Sequence, residues 1–188
     1  MDTLESLRRK LEGADDLKSV VRTMKAMSAS TIGQYELAVQ SLGDYYHTII
    51  LGITAYVIAE KIKTLNKFEE QETGKQKTIC AIVFGSDQGL VGRFNDSMAN
   101  FVSQALHEIP GKKEIWAVGE RIQLLMSDAG FVVTKIFSLP NSVNAITPLV
   151  GKILVESEEG NQKRLMNEFY IFHNQPHTDS GYLPVMQR

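Results

Sequence analysis

From Asp15 to about residue 68 the chain carries apolar side chains at helical spacing with no proline among them. Leu17, Val20, Val21, Met24, Met27, Tyr35, Ala38, Val39, Leu42, Tyr45, Tyr46, Ile49, Ile53, Tyr56 and Val57 fall mostly three and four residues apart, which lines them up along one stripe. Gly33, Gly43 and Gly52 are isolated, and each weakens a helix by about 1 kcal/mol without stopping it. A helix of this length reaches about 75 Å, wider than any domain a chain of this size can build. Whatever else folds here is attached to that helix rather than wrapped around it.

The charges sharpen the constraint. Between Ala26 and Ala59 only Glu36 and Asp44 are formally charged, while the flanking segments are rich in Lys, Arg and Glu. A lone solvated helix wets its outer face with charge; this one uses Ser, Thr, Gln and Gly, so more than one of its faces is expected to be covered by protein. The alternative is a helical hairpin or bundle with unusual surface chemistry.

At 188 residues the chain accommodates one ordinary domain, or a long helix with a smaller domain. Its formal charge of -2, with acidic and basic residues nearly balanced on both sides of residue 77, argues against a nucleic-acid binder that relies on a basic surface. The single cysteine, Cys80, lies in a strand-like run and reads as a small core residue rather than a nucleophile. The opening MDTLESLRRK lacks a secretory pattern. The most lipid-like stretch, Ile49 to Ala59, is too short for a span of about 20 residues, so no direct membrane insertion is expected.

In chain order, Leu4, Leu7 and Leu11 make a short amphipathic start that Gly13 loosens, by a break or only a kink, and Asp15 or Asp16 can cap the long helix that follows. The stalk helix is expected over 1–68, a linker over 69–77, where EETGK breaks the pattern, and a second domain over 78–188. TICAIVF, Thr78 to Phe84, suits a strand buried on both faces. A helix from Phe94 to Leu106, a strand from Glu114 to Val118, a short helix from Glu120 to Met126 and a strand from Phe131 to Phe137 follow. Then come a helix from about Ser142 to Val155, with Pro148 bending or delaying its start, a strand from Glu168 to His173 and a pairing segment from Tyr182 to Met186. This alternation favours a three-layer α/β domain.

The most conspicuous loop is GSDQGLVG, Gly85 to Gly92, at the carboxyl end of the first strand, where open α/β sheets often bind ligands. Its residues Ser86, Asp87, Gln88, Gly89 and Gly92 match neither the dinucleotide spacing nor a phosphate-binding loop. A tight strand-to-helix turn is favoured, with Asp87 accepting backbone N–H groups. Ser86 is not framed as a nucleophile, the four histidines are scattered, and Glu156, Glu158 and Glu159 read as a solvated turn after a helix. No catalytic set, metal site or cofactor is expected.

Two stretches taken together carry a family resemblance. TMKAMSAS, Thr23 to Ser30, lies on the long helix, and FGSDQGLVGRFN, Phe84 to Asn95, at the first strand-to-helix turn. Their order and separation resemble the gamma subunit of F-type ATP synthases, where the first reads close to AMKMVAAS and the second close to SDRGLCGGLN. Met24, Lys25, Ala29 and Ser30 match the first pattern, and Ser86, Asp87, Gly89, Leu90, Gly92 and Asn95 the second. IWAVGERI and YIFHNQ continue the register loosely.

The resemblance implies an antiparallel coiled coil, of which the N-terminal helix is half, and a Rossmann-like α/β domain. It implies a non-catalytic rotor whose helix, through Met24, Lys25, Ala26, Met27, Ala29 and Ser30, contacts a hexamer of alternating nucleotide-binding subunits. An epsilon-type stalk subunit and a membrane ring that conducts ions are the other implied partners, at the cytoplasmic face of the cell membrane in a bacterial or archaeal setting. The chain departs from the pattern at Gln88, Val91, Arg93 and Thr31, and it carries no second long helix after its last strand. Three readings follow: a piece of a longer gamma subunit, a gamma-like protein that pairs its helix with another chain, or a hairpin folded near Gly33, Gly43 or Gly52 in a non-rotary adaptor. An unpaired stripe of this size invites association.

Overall fold

A computed structural model describes residues 3–60, 78–162, 168–177 and 181–188. The chain divides into two units, residues 1–71 and 72–188; the linker expected over 69–77 lies outside the described residues.

The described part of the first unit is one α-helix, α1 (Leu4–Glu60), about 85 Å long at 1.5 Å per residue. The expected break at Gly13 and the caps at Asp15 or Asp16 are absent. The helix starts a dozen residues earlier, where Thr3 Oγ1 accepts the Ser6 N–H at 3.3 Å and satisfies one of the orphan donors of the first turn. One glycine between two helix-forming segments costs less than starting a second nucleus, so the helix propagates through it. It also runs unbroken through Gly33, Gly43 and Gly52, which removes the hairpin reading. Residues 61–68 of the expected span lie outside the described residues.

The hydroxyls of α1 explain how it does without charge. Thr23 donates to Ser19 O, Ser30 to Met27 O, Thr31 to Met27 O and Ser28 O, and Thr48 to Asp44 O. These four hydroxyls are spent on the helix's own carbonyls, which lowers the number of free donors on a surface that carries little charge. Large apolar side chains stand out from it, with Met27 at 67%, Leu42 at 65% and Tyr45 at 63% exposure.

The second unit is built on a five-stranded sheet in the order β3-β2-β1-β4-β5. Its strands are β1 (Thr78–Phe84), β2 (Lys112–Val118), β3 (Val133–Phe137), β4 (Glu168–His177) and β5 (Gly181–Gln187). The first four are mutually parallel and β5 closes one edge antiparallel to β4. The helices are α2 (Phe94–Glu108), α3 (Glu120–Asp128) and α4 (Ile146–Gln162). Period-two alternation sends Ile79, Ala81 and Val83 of β1 to the face that packs Met98, Val102 and Leu106 of α2 and Ile122 and Met126 of α3. Cys80 and Ile82 point the other way, with Trp116, Val118, Phe137 and Leu149 and Ile153 of α4. Both faces of the central strand are therefore covered, the three-layer arrangement that a nearly continuous apolar strand demands. Burial pushes the Cys80 thiol up from its ordinary 9.0 to about 12, Glu114 adding to the rise and Lys135 opposing it.

Boundaries move where local chemistry overrides pattern. β3 starts at Val133 rather than Phe131 because Phe131 N–H bonds to Met126 O at 3.1 Å and Gly130 N–H to Ser127 O at 3.0 Å, closing α3 with a left-handed Gly130 at φ +85. A short 3-10 turn, Val143–Ala145, precedes α4, whose third residue is Pro148, a position where a missing N–H costs nothing. Because α4 continues to Gln162, Glu156, Glu158 and Glu159 lie on a helix and not on a turn after it. Glu156 reaches across to Lys135 of β3, whose ammonium also lies 5.2 Å from the centre of the Trp116 ring. β4 runs past His173 to His177 and pairs with β5 through Pro176 opposite Tyr182. Arg188 ties the end of β5 to Glu168 at the start of β4 at 2.6 Å, and Tyr170 donates to the same carboxylate at 2.8 Å.

Candidate functional site

The strand order puts a topological switch beside β1: one crossover leaves it for β2, and the chain returns on its other side as β4. The turn from Gly85 to Arg93 opens at its carboxyl end, where doubly wound sheets place ligands. Here the polar groups of that turn are turned upon one another. Ser86 N–H donates to Asn95 Oδ1 at 2.8 Å, Asn95 Nδ2 donates to Ser86 Oγ at 2.7 Å, and Ser86 Oγ donates to Gln88 O at 2.7 Å. Asn95, on the first turn of α2, is 2% exposed. Its carboxamide replaces the backbone ladder that ends at Phe84.

The turn is also locked to its neighbour. Asp87 Oδ1 accepts the Glu120 N–H at 3.0 Å, so the electropositive start of α3, the natural seat for a ligand anion, holds the chain's own carboxylate. Ser86 O accepts the Arg121 N–H, and Gly85 N–H reaches Val118 O, both at 2.9 Å. Gly119 stands between them at φ +114, and a Cβ there would lie 2.9 Å from the carbonyl of Ser86. Only glycine tolerates both that dihedral and that approach. Gln88, Gly89, Leu90, Val91, Gly92 and Arg93 are exposed, with Gly92 in the left-handed region at φ +61.

The stalk residues belong to the first unit. Met24, Lys25, Ala26, Met27, Ala29 and Ser30 occupy two turns of α1; Met24 is half-buried and the others are exposed. Lys25 makes no ion pair among the described residues, and the Ser30 hydroxyl is held by Met27 O.

Among the described residues, neither set forms an arrangement for bond-making chemistry. Ser86 Oγ points its proton at a carbonyl and not at an imidazole. His173 and His177 are four residues apart on an extended strand, about 13 Å by strand geometry, too far to share one ion. Among the described residues no group of three His, Cys, Asp or Glu side chains is placed to hold a metal. An open groove of about 780 Å³ lies between the end of β3 and α4, lined by Phe137, Leu139, Pro140, Leu149, Lys152 and Glu156. Its carboxylate is already engaged by Lys135. Among the described residues no helix is long and apolar enough to cross a membrane.

Asn95 fell inside the motif read from sequence, but its role was not visible there, and neither were Gly119 and Glu120. The only signal was glycine next to an acidic helix start, in a segment separated from Asp87 by 33 residues.

Residues 3–188 match a family model described as ATP synthase. The ATP synthase gamma chain of Pelotomaculum thermopropionicum is 24% identical over 137 residues, 72% of this chain and 46% of that protein. The ATP synthase gamma chain of a Sulfurihydrogenibium species is 25% identical over 123 residues, 64% of this chain and 38% of that protein. The chain thus spans less than half the length of these curated relatives. Among solved structures, a chain of the OSCP/F1/c-ring part of the Euglena gracilis mitochondrial ATP synthase in rotational state 3 superposes with a TM-score of 0.55 at 14% identity, covering 96% of this chain and 55% of that one. A chain of the rotor of the same enzyme in rotational state 1 gives 0.55 at 15% identity, with 96% and 60% coverage. At those identities the likeness is one of fold.

Proposed function

The chain belongs to the ATP synthase gamma-subunit family, and on that premise we propose that it is a non-catalytic central-stalk subunit of an F-type ATP synthase. In this reading α1 occupies the bore of the hexamer of alternating nucleotide-binding subunits, and the chain couples ion flow through the membrane ring to ATP synthesis or hydrolysis in that hexamer. A second long helix pairs with α1 in the assembled stalk, and residues 69–77 link stalk and α/β domain. Met24, Lys25, Ala26, Met27, Ala29 and Ser30 form the contact with the hexamer, and Lys25 supplies the charge-assisted part of it. An epsilon-type stalk subunit and the ion-conducting ring are the further partners, which makes the chain peripheral at the cytoplasmic face of the cell membrane in a bacterial or archaeal setting.

The observation that carries this reading is an unbroken helix of 57 residues with only Glu36 and Asp44 charged between Ala26 and Ala59. A shaft enclosed by a ring cannot carry unpaired charge where it is covered, because burying a charge is costly. The turn from Ser86 to Gly92 serves this role as scaffold: Ser86, through Asn95, and Asp87, through the Glu120 N–H, fasten it to α2 and α3.

Affinity purification from native membranes in mild detergent, with a tag on this chain, tests the proposal. Recovery of the nucleotide-binding hexamer together with the membrane ring is expected; recovery of neither, with the chain folded, would replace the rotor by a gamma-like adaptor. The purified chain alone is expected to release no phosphate from ATP. Release in proportion to the chain and lost in Asp87→Ala would contradict the assignment.

A further inference from the structure

Among the described residues three buried side-chain atoms find no hydrogen-bond partner: Trp116 Nε1 and both polar atoms of Asn174, Nδ2 and Oδ1. Asn174 carries the heavier cost, since its carboxamide leaves a donor and an acceptor unsatisfied at once. Neither atom touches solvent, so nothing docked on the outside of the α/β unit can satisfy them. Position decides what each orphan can do. Trp116 is fully buried between Phe137 and Phe169, and reaching it takes a core apart. Asn174 lies near the carboxyl end of β4, one strand in from the edge of the sheet. Period two puts it on the face of Tyr170 and Phe172, which pack with α2, and the ladder sets Pro184 of β5 directly opposite. Proline has no N–H, so at this register β5 brings no backbone donor to Oδ1.

Of the elements around Asn174, β5 is the one that can leave without opening a core. None of its seven residues is fully buried, whereas β1 buries five and α2, over the same face, buries five. Side-chain fastenings stand at its two ends. Tyr182 packs edge-on against Phe94 of α2 with ring centres 5.0 Å apart, and Arg188, just past the strand, reaches Glu168 at 2.6 Å. Between these fastenings the strand passes the unsatisfied carboxamide. A closed edge carries the cost of that group, and an open one relieves it, because water then reaches both atoms.

We propose that β5 is a releasable strap: it leaves β4 as a unit, hydrates Asn174, and keeps β1 to β4 and both cores folded behind it. The opened unit presents the bare edge of β4, a row of backbone N–H and C=O groups, in place of a finished edge strand. The opening rests on the α/β unit alone and not on the rotor reading.

Native-state hydrogen exchange of the full chain, resolved by residue, tests it. The ladder amides of β5 are expected to exchange at least about tenfold faster than those of β1, through a local opening and not through global unfolding. Asn174→Leu fills a similar space with no polar group to hydrate, and is expected to slow exchange in β5 about tenfold. Unchanged Trp116 emission shows that the α/β unit of that variant is folded. Arg188→Ala, which removes one fastening and touches no core, is expected to speed exchange in β5 about twofold to fivefold. Exchange of β5 in step with β1 would show that the strap has no opening of its own. Asn174→Leu that leaves β5 as fast as before, or faster, while its fold is intact would show that the carboxamide does not drive the release. Either result overturns the proposal.

Discussion

Asn95 does more for the α/β unit than its single buried carboxamide suggests. It closes the backbone of Ser86 with one atom and positions its hydroxyl with the other. Asn95→Ala leaves a part-buried N–H without an acceptor and is expected to lower stability by about 2 kcal/mol. Asp87→Ala, which strips only the exposed cap from α3, is expected to cost about 1 kcal/mol. Urea unfolding followed by the one tryptophan, Trp116, distinguishes them. Cys80 makes a prediction in pH. Its thiol stays protonated in the native state up to about 12 but ionises near 9.0 once unfolded, so between these values the native state binds more protons than the unfolded one. The stability that this group contributes is complete below pH 9 and falls by at most about 1.4 kcal/mol per pH unit above it. Cys80→Ala is expected to remove that part of the slope, and an unchanged alkaline profile in the variant would refute the assignment. At this scale the sequence was only partly legible. Ser86, Asp87 and Asn95 stood inside a visible motif, yet the group Asp87 serves is the N–H of Glu120, which sits on another turn and leaves no mark in local pattern.

The elements were easier to read, for reasons that differ among them. TICAIVF admits one interpretation because a strand covered on both sides needs apolar residues at every position, and β1 is buried accordingly. The start of β3 was not readable, because Phe131 has the composition of a strand while its N–H closes the preceding helix. The start of α1 was open to two readings, since Gly13 followed by Asp15 and Asp16 imitates a boundary, and propagation from Thr3 overrides it. What the helix tolerates it does not need. Gly33, Gly43 and Gly52 have nothing within 4 Å of a Cβ built on them. Each replacement by alanine is expected to stabilise α1 by about 0.5–1 kcal/mol, seen as a higher midpoint in far-ultraviolet circular dichroism. A lower midpoint for Gly43→Ala would mean that another backbone approaches the helix there.

For the molecule as a whole, the division into residues 1–71 and 72–188 separates two kinds of stability. The α/β unit owns a core on each side of its sheet, while α1 exposes nearly every apolar side chain it has. Heating is therefore expected to give two transitions: loss of helix with a midpoint that rises with protein concentration, and loss of the Trp116 environment with one that does not. Coincident, concentration-independent transitions would show that the two units fold as one. The composition of the sequence disclosed this contrast, since the charge-poor stretch and the α/β alternation fall on opposite sides of residue 69. What it did not disclose is how α1 keeps an uncharged surface satisfied. Thr23, Ser30, Thr31 and Thr48 hand their protons to carbonyls one turn back. Where its hydroxyls are held in this way, α1 offers fewer directional bonds to whatever surrounds it and so has fewer to break when the surroundings shift. In the proposed rotor, and in an engineer's vocabulary, such a surface would make α1 a journal and not a gear, a shaft held on its axis by fit while the teeth belong to other parts of the machine.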